Sequence, residues 1–120
     1  MTQARRALGE YGERLAARYC RESGLEVVDR NWRCEVGEID LVVRDGSCLV
    51  VCEVKTRRTD TFGGPIAAVT PAKAARLRRL AGCWIEAHPR TGTTDLRIDV
   101  VAIERPRTGP AVIDHLVGVA

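Results

Sequence analysis

The chain has 120 residues, of which 45% are hydrophobic, 29% are charged and only 4% are aromatic, and its net charge is +3. This length fits one domain, residues 1–120, with a core that needs no disulfide or metal, and the scarcity of rings disfavours an RNA-binding sheet that stacks bases on aromatics. We see no signal peptide, no apolar run near the ~20 residues of a membrane span and no CxxC pair among the five cysteines, so we expect a cytoplasmic protein without membrane contact.

The first predicted elements are a helix and a short strand. Apolar and small residues recur at helical spacing over residues 5–23, and Gly24 follows as a helix-ending residue. The apolar run 25–28 predicts an edge strand, and residues 29–31 predict a polar break after it.

Two β-rich runs then predict a hairpin. Residues 36–43 and 48–54 are separated by a stretch that contains Asp45-Gly46, a strong signal for a hairpin turn. Both runs are too apolar to face water on either side, so we predict that they are central strands.

A loop and a second helix follow the hairpin. Residues 56–69 are rich in Gly and Thr, and residues 63–65 fit either a segment that moves over a substrate or a plain turn. Thr70 and Pro71 predict a helix start as N-cap and first helical residue, and Pro89 predicts its end. The buried stripe of this helix is predicted from its apolar residues: Leu77, Leu80, Ala81, Trp84 and Ile85.

The last predicted elements are two strands. Residues 96–103 form one β-rich run, and residues 111–116 predict an edge strand. The order of helix, strand, hairpin, helix and strand predicts a mixed sheet with helices on its faces, which is an α/β domain.

Four charged side chains converge on one patch of the predicted hairpin. Because side chains alternate across a strand, Glu38 and Asp40 share one face of the first strand with Val42, and Glu53 and Lys55 share a face of the second. A tight turn at the Asp-Gly step pairs residues whose numbers sum to about 91, which places Glu38 opposite Glu53. Three carboxylates and one ammonium group then meet.

This carboxylate patch predicts a metal site. Crowded, half-buried carboxylates repel one another and lose hydration, and a divalent cation relieves both effects. Oxygen ligands suit Mg²⁺ or Mn²⁺. In the alternative interpretation, Glu53 pairs with Lys55 on an exposed strand and the other acids are solvated. Because the acids lie within Val-rich central strands, we favour the metal site.

The order of these residues resembles the YraN family of small bacterial endonuclease-like proteins. The segments GEIDLV at 37–42 and EVKTR at 53–57 carry the resemblance. Further matches fall in the expected order: Gly12, Glu13, Asn31, Gly64, Lys73 and Asp99. That family is similar to archaeal Holliday-junction resolvases of the PD-(D/E)XK nuclease superfamily, although Ile39 stands where that motif has Pro. The resemblance implies a restriction-endonuclease-like three-layer core, with a mixed central sheet flanked by helices.

The resemblance also implies roles for individual residues. Asp40 and Glu53 would bind the metal, and the carbonyl of Val54 could complete its shell. Lys55 would orient or activate the attacking water and stabilise charge on the phosphate.

Several other candidates have two interpretations. Glu13 lies at the edge of the apolar face of the first helix, where it is either an additional catalytic acid or a surface residue. Glu38 is either a further metal ligand or the partner of a basic side chain. For Asp99 we favour a structural salt bridge, and His88 and His115 are interpreted as helix-end or surface residues.

Basic residues concentrate in one segment. Residues 55–79 carry a net charge of +6, which leaves −3 for the remainder. These charges fit either a solvated helix face or a phosphate-binding patch. The predicted nucleic-acid contacts are Arg57, Arg58, Lys73, Arg76 and Arg79.

The sequence thus predicts a metal-dependent nuclease that hydrolyses phosphodiesters, with DNA, branched or single-stranded, favoured over RNA. The alternative is a nucleic-acid-binding module that keeps the nuclease fold with little or no catalysis. A third interpretation, an interaction protein that docks a partner on the basic helix, predicts no metal binding. The resemblance to resolvases leaves a homodimer open.

Overall fold

Two helices and one five-stranded sheet make up the described residues, 2–59 and 69–119, of a computed structural model. The elements are α1 (Gln3–Glu22), β1 (Glu26–Cys34), β2 (Gly37–Asp45), β3 (Cys48–Arg58), α2 (Pro71–Ala87), β4 (Asp95–Arg105) and β5 (Val112–Leu116). The strands lie side by side in sequence order; β3 and β4 are parallel, and the other neighbours are antiparallel. The parallel pair requires a crossover, which contains α2. The predicted mixed sheet and the central position of the hairpin strands are confirmed.

The two helices cover opposite faces of the sheet. One core cluster joins α1 to the sheet through Ala16, Cys20 and Leu41, and the other joins α2 to it through Leu80 and Trp84. The architecture is therefore the predicted three-layer α/β arrangement.

Local signals set the ends of both helices. The Thr70 Oγ1 accepts a hydrogen bond from the Lys73 backbone N–H at 3.1 Å, as an N-cap does, and Gly24 has a φ of +90° just after α1. The second helix ends at Ala87, before the predicted Pro89, and His88 caps it. The prediction that Ile85 is buried is wrong: it is 39% exposed, because it lies about 100° around the helix from the buried stripe.

The edge strand β1 is longer than predicted. It continues through residues 29–31, which the sequence predicts to be a break. The strand accommodates its polar residues with a register shift between Val27 and Asp29 and with a left-handed φ of +50° at Asn31, a residue type that tolerates this conformation.

The hairpin register differs from the predicted one by two residues. Asp45 faces Cys48 and Val42 faces Val51, so the turn residues are Gly46 and Ser47. Gly46 has a φ of +60°, which the first position of a type II′ turn requires. Glu38 is therefore not opposite Glu53.

The strand β3 extends into the segment predicted to be a loop, as far as Arg58. Residues 60–68 of that predicted loop, including residues 63–65, lie outside the described residues. Within 2–59 and 69–119, neither helix is long and apolar enough to cross a membrane.

Candidate functional site

Three carboxylates meet where α1 passes the beginning of β2. Glu13 of α1 and Glu38 and Asp40 of β2 each offer one oxygen, and these oxygens lie within 4.8 Å of one another. All three residues are half-buried. We call this set the carboxylate group. Its oxygen donors could hold a hard divalent cation.

An irregularity in β2 turns its two acids towards α1. Ile39 packs in the α2 cluster but Leu41 packs in the α1 cluster, so the strand does not alternate strictly across Asp40. The Val54 backbone N–H donates to the Asp40 Oδ2 at 3.0 Å and holds this carboxylate against β3. Glu38 and Asp40 share a face as predicted, but the prediction that Val42 shares it is wrong, because Val42 packs in the α2 cluster.

Gly12 allows α1 to approach the sheet closely. A Cβ at this buried position would overlap the side chain of Thr56 on β3. The close approach carries the next residue, Glu13, to the carboxylate group. The Asn31 side-chain amide, with its nitrogen turned towards Glu13, donates to both carboxylate oxygens at 3.1 and 3.2 Å.

Burial and mutual repulsion make the carboxylate group costly to ionise. Burial, with the neighbouring charge of Glu53, raises the pKa of Asp40 to about 7, and the hydrogen bond from Val54 opposes this only in part. Burial, with the charge of Glu38, also raises the pKa of Glu13. A bound cation would favour the charged forms of these acids.

Glu53 lies beside the carboxylate group and contacts α2. Its Oε1 accepts from the Lys73 Nζ at 3.1 Å, and the Glu53 side chain is 16% exposed. Its charge is nevertheless close enough to raise the pKa of Asp40. Lys55 is two residues further along β3, is half-buried and pairs in register with Ala102.

Glu38 also pairs with a basic residue, which was one of its two predicted roles. The Arg33 Nη2 lies 3.2 Å from the Glu38 Oε2. The carboxylate group opens into a cavity of about 580 Å³ that Arg33 lines together with Arg5 and Arg6. These three arginines lie outside the basic segment 55–79 and are not among the predicted site residues.

The predicted phosphate contacts occupy two regions. The Arg57 Nη2 forms an ion pair with the Glu104 Oε1 at 2.8 Å, and Arg58 is exposed at the end of β3. Arg76 and Arg79 are exposed on α2. Their contact with nucleic acid remains a prediction.

A buried polar network surrounds Asp99 in β4, and the sequence predicted only part of it. Asp99 is fully buried and accepts hydrogen bonds from Arg97, from the Gly118 backbone N–H at 2.9 Å and from the His115 Nε2 at 2.7 Å. Because the ring of His115 donates to a carboxylate, its Nδ1 can accept from the Tyr19 hydroxyl at 3.0 Å. Burial by itself would raise the pKa of Asp99, but these hydrogen bonds outweigh it and lower that pKa.

This network confirms the structural salt bridge predicted for Asp99. The prediction that His115 is a surface or helix-end residue is wrong, because antiparallel pairing of β5 places it beside Val101 of β4, with a side chain only 11% exposed. His88 is a helix-end residue, as predicted.

The fold and site together define a small three-layer α/β domain with a cluster of acids at the junction of α1 and the central hairpin. The profile of the uncharacterised protein family UPF0102 matches residues 12–103. The chain is 56% identical to a UPF0102 protein of Kineococcus radiotolerans over 118 residues, which are 98% of this chain and 97% of that protein. It is 55% identical to a UPF0102 protein of Streptomyces griseus over 117 residues, which are 98% of each chain. It is 51% identical to a UPF0102 protein of Acidothermus cellulolyticus over an alignment of 119 residues that covers 91% of this chain and 90% of that protein.

The chain therefore belongs to the UPF0102 family. This confirms the predicted resemblance to YraN-like proteins at the level of the family.

Proposed function

We propose that this protein is a metal-dependent nuclease of the PD-(D/E)XK superfamily that hydrolyses nucleic-acid phosphodiesters, with DNA as the favoured substrate. The observation that carries the proposal is the carboxylate group on α1 and β2, next to a central strand that bears Glu53 and Lys55. The order of Asp40, Glu53 and Lys55 along the hairpin supports it, because the nuclease motif has an acid followed by an E-x-K step.

The donor set fits a divalent cation. Glu13, Glu38 and Asp40 offer hard oxygen ligands, and the raised pKa of Asp40 shows that its charge lacks sufficient compensation within the protein. Glu53 and the carbonyl of Val54, which the family resemblance assigns to the same metal, lie on the adjacent strand. When bound, Mg²⁺ or Mn²⁺ would acidify a water molecule and neutralise charge on the phosphate.

The protein's own residues have distinct tasks in this proposal. Lys55 donates hydrogen bonds to the water or to the phosphate oxygens, where a fixed positive charge stabilises the developing negative charge. The Val54 N–H and the Asn31 amide keep Asp40 and Glu13 oriented. Lys73 holds Glu53 until a cation or substrate competes for that carboxylate.

A cleavage assay tests the proposal. Labelled single-stranded, duplex and branched DNA, with RNA strands for comparison, is incubated with the protein in Mg²⁺ or Mn²⁺. We expect cleavage that is lost in Lys55→Ala and Glu53→Gln. Glu86→Gln, which changes an exposed acid on α2, is the matched control and should cleave like wild type. Absence of cleavage in both metals, or equal cleavage by all variants, would refute the proposal.

One contact favours the alternative of a nucleic-acid-binding module with little or no catalysis. Glu53 bonds to Lys73, outside the carboxylate group. If that ion pair persists when the cation and substrate are present, wild type should bind nucleic acid without cleaving it in either metal. If the pair is only a resting contact that the cation displaces, wild type should cleave, and Lys73→Ala should bind the cation more tightly than wild type in calorimetry.

A further inference from the structure

Three cavities follow one another along the surface beside the carboxylate group. The first, of about 580 Å³, contains the acids, and the second, of about 570 Å³, lies between α1 and the end of β3. Both are lined by Arg5 and Gly9, so they adjoin at the first half of α1. The third, of about 270 Å³, shares Arg58 with the second and reaches Arg107 after β4. Together they form one path that leads away from the acids.

Arginines line this path along its whole length. We call it the arginine groove, and its exposed cations are Arg5, Arg6, Arg33, Arg58, Arg105 and Arg107. Among the described residues, 2–59 and 69–119, no acid lines the second or third cavity. In the described part of the chain, Arg5, Arg6, Arg58 and Arg107 form no ion pair, so their charges remain available for an anionic ligand.

The size and chemistry of the groove fit one phosphate backbone. The first two cavities have the volume of small-molecule sites and the third is smaller, and such dimensions suit a single strand better than a double helix. From Val54 to Arg58, β3 is about 13 Å long. Since one nucleotide of a B-form strand rises ~3.4 Å, this part of the groove is long enough for several nucleotides. No aromatic ring of the residues that the structure describes lines the three cavities, so the contacts made by these residues would be with phosphates and not with stacked bases.

Gly9 keeps the junction between the first two cavities open. It is half-buried within α1, and a Cβ at this position would meet nothing within 4 Å in the part of the chain that the structure describes. Glycine in the middle of a helix costs about 1 kcal/mol relative to alanine, and here no packing contact requires it. A larger side chain would project into the space that the two cavities share.

We infer that the arginine groove binds the backbone of a single nucleic-acid strand and leads it to the carboxylate group. This inference rests on the proposed function, because the strand in the groove is the substrate of that site. It assigns binding to the start of α1 and the ends of β3 and β4. Arg76 and Arg79 on α2 lie outside the groove.

Binding measurements in Mg²⁺ test the inference, with Lys55→Ala in every protein so that the probe stays intact. The probes are a fluorescent single-stranded DNA and its duplex. Arg5→Glu and Arg107→Glu should each weaken single-strand binding about tenfold and make its salt dependence less steep by about 0.7 per lost contact. Arg21→Glu, a matched reversal of an exposed arginine in the last turn of α1, is the control and should change the affinity less than about twofold.

Substitutions at Gly9 separate obstruction of the groove from loss of folding. Gly9→Gln should weaken binding, whereas Gly9→Ala should bind like its parent and melt at the same or a higher temperature. Tighter binding of duplex than of single strand, or loss of binding in Arg79→Glu without loss in the groove variants, would overturn the inference. If the protein that retains Lys55 binds through the groove but never cleaves, the proposed function is wrong and the inferred role of the groove is retained. If that protein cleaves and the groove variants bind and cleave as it does, the inferred role of the groove is wrong and the proposed nuclease function is retained.

Discussion

Replacing Asp40 with asparagine removes the charge whose ionisation lowers the stability of the metal-free protein most. Burial and the charge of Glu53 raise the pKa of this carboxyl from its usual 3.8 to about 7, whereas the unfolded chain keeps the usual value. A carboxyl with a raised pKa binds its proton more tightly in the folded state. Its contribution to stability is therefore complete at low pH and is lost as the pH rises through about 7. The Asp40→Asn variant never ionises and avoids this loss.

The size of the effect follows from the same pKa values. Between about pH 5 and about pH 8, the free energy of unfolding of wild type should fall by about 2–3 kcal/mol relative to Asp40→Asn. Urea unfolding in EDTA at both pH values measures this difference, and most contributions from other titrating groups cancel because both proteins share them.

An exposed aspartate provides the control for this prediction. Asp114→Asn on the edge strand β5 should follow the wild-type pH profile. If wild type and Asp40→Asn lose stability in parallel, the pKa of Asp40 is not raised. The argument that crowded carboxylates favour a cation would then lose its electrostatic basis.

Three further substitutions test the packing that supports the site and the core. Gly12→Ala should destabilise the protein by about 1–3 kcal/mol because its Cβ overlaps Thr56, and Thr56→Ala in the same chain should restore only part of the loss in a urea-based double-mutant cycle, because the Cβ of residue 56 remains and lies 2.7 Å from the added Cβ. Arg97→Met removes donors from the fully buried Asp99 and should lower the free energy of unfolding by about 3 kcal/mol; an unchanged melting temperature would contradict the importance of this pair. Trp84→Phe removes an indole N–H that is hydrogen-bonded at 2.8 Å and should cost about 1–2 kcal/mol in urea unfolding, a loss that an equally stable variant would disprove.

The elements with strong local signals could be predicted from the sequence. Thr70 and Pro71 begin α2 where the capping rules put them, and the apolar content of β2 and β3 indicated their central positions. The hairpin register could not be derived in this way. An Asp-Gly turn and a Gly-Ser turn differ by a two-residue shift in pairing, and the sequence around Gly46 allows both.

The site illustrates a different limit of sequence analysis. Asp40 could be selected as a candidate acid, but its approach to Glu13 depends on an irregularity in β2 and on the close packing of Gly12 against the sheet. The environment of His115 depends on which strand β5 pairs with, a tertiary choice without a local signal. Burial and pairing between distant segments thus determine the geometry of the site and the environment of His115, which residue spacing does not indicate.

The parallel pairing of β3 with β4 has a consequence for the nascent chain. β3 ends at Arg58 and β4 ends at Arg105, so at ~5–20 residues per second the ribosome needs roughly 2–9 seconds to deliver the partner strand. During that time the apolar stretch from Leu49 to Cys52 has an open edge of the kind that seeds aggregation. Glu53 and Lys55 follow this stretch directly and flank it with charges, so the residues proposed for catalysis would also act as gatekeepers during synthesis.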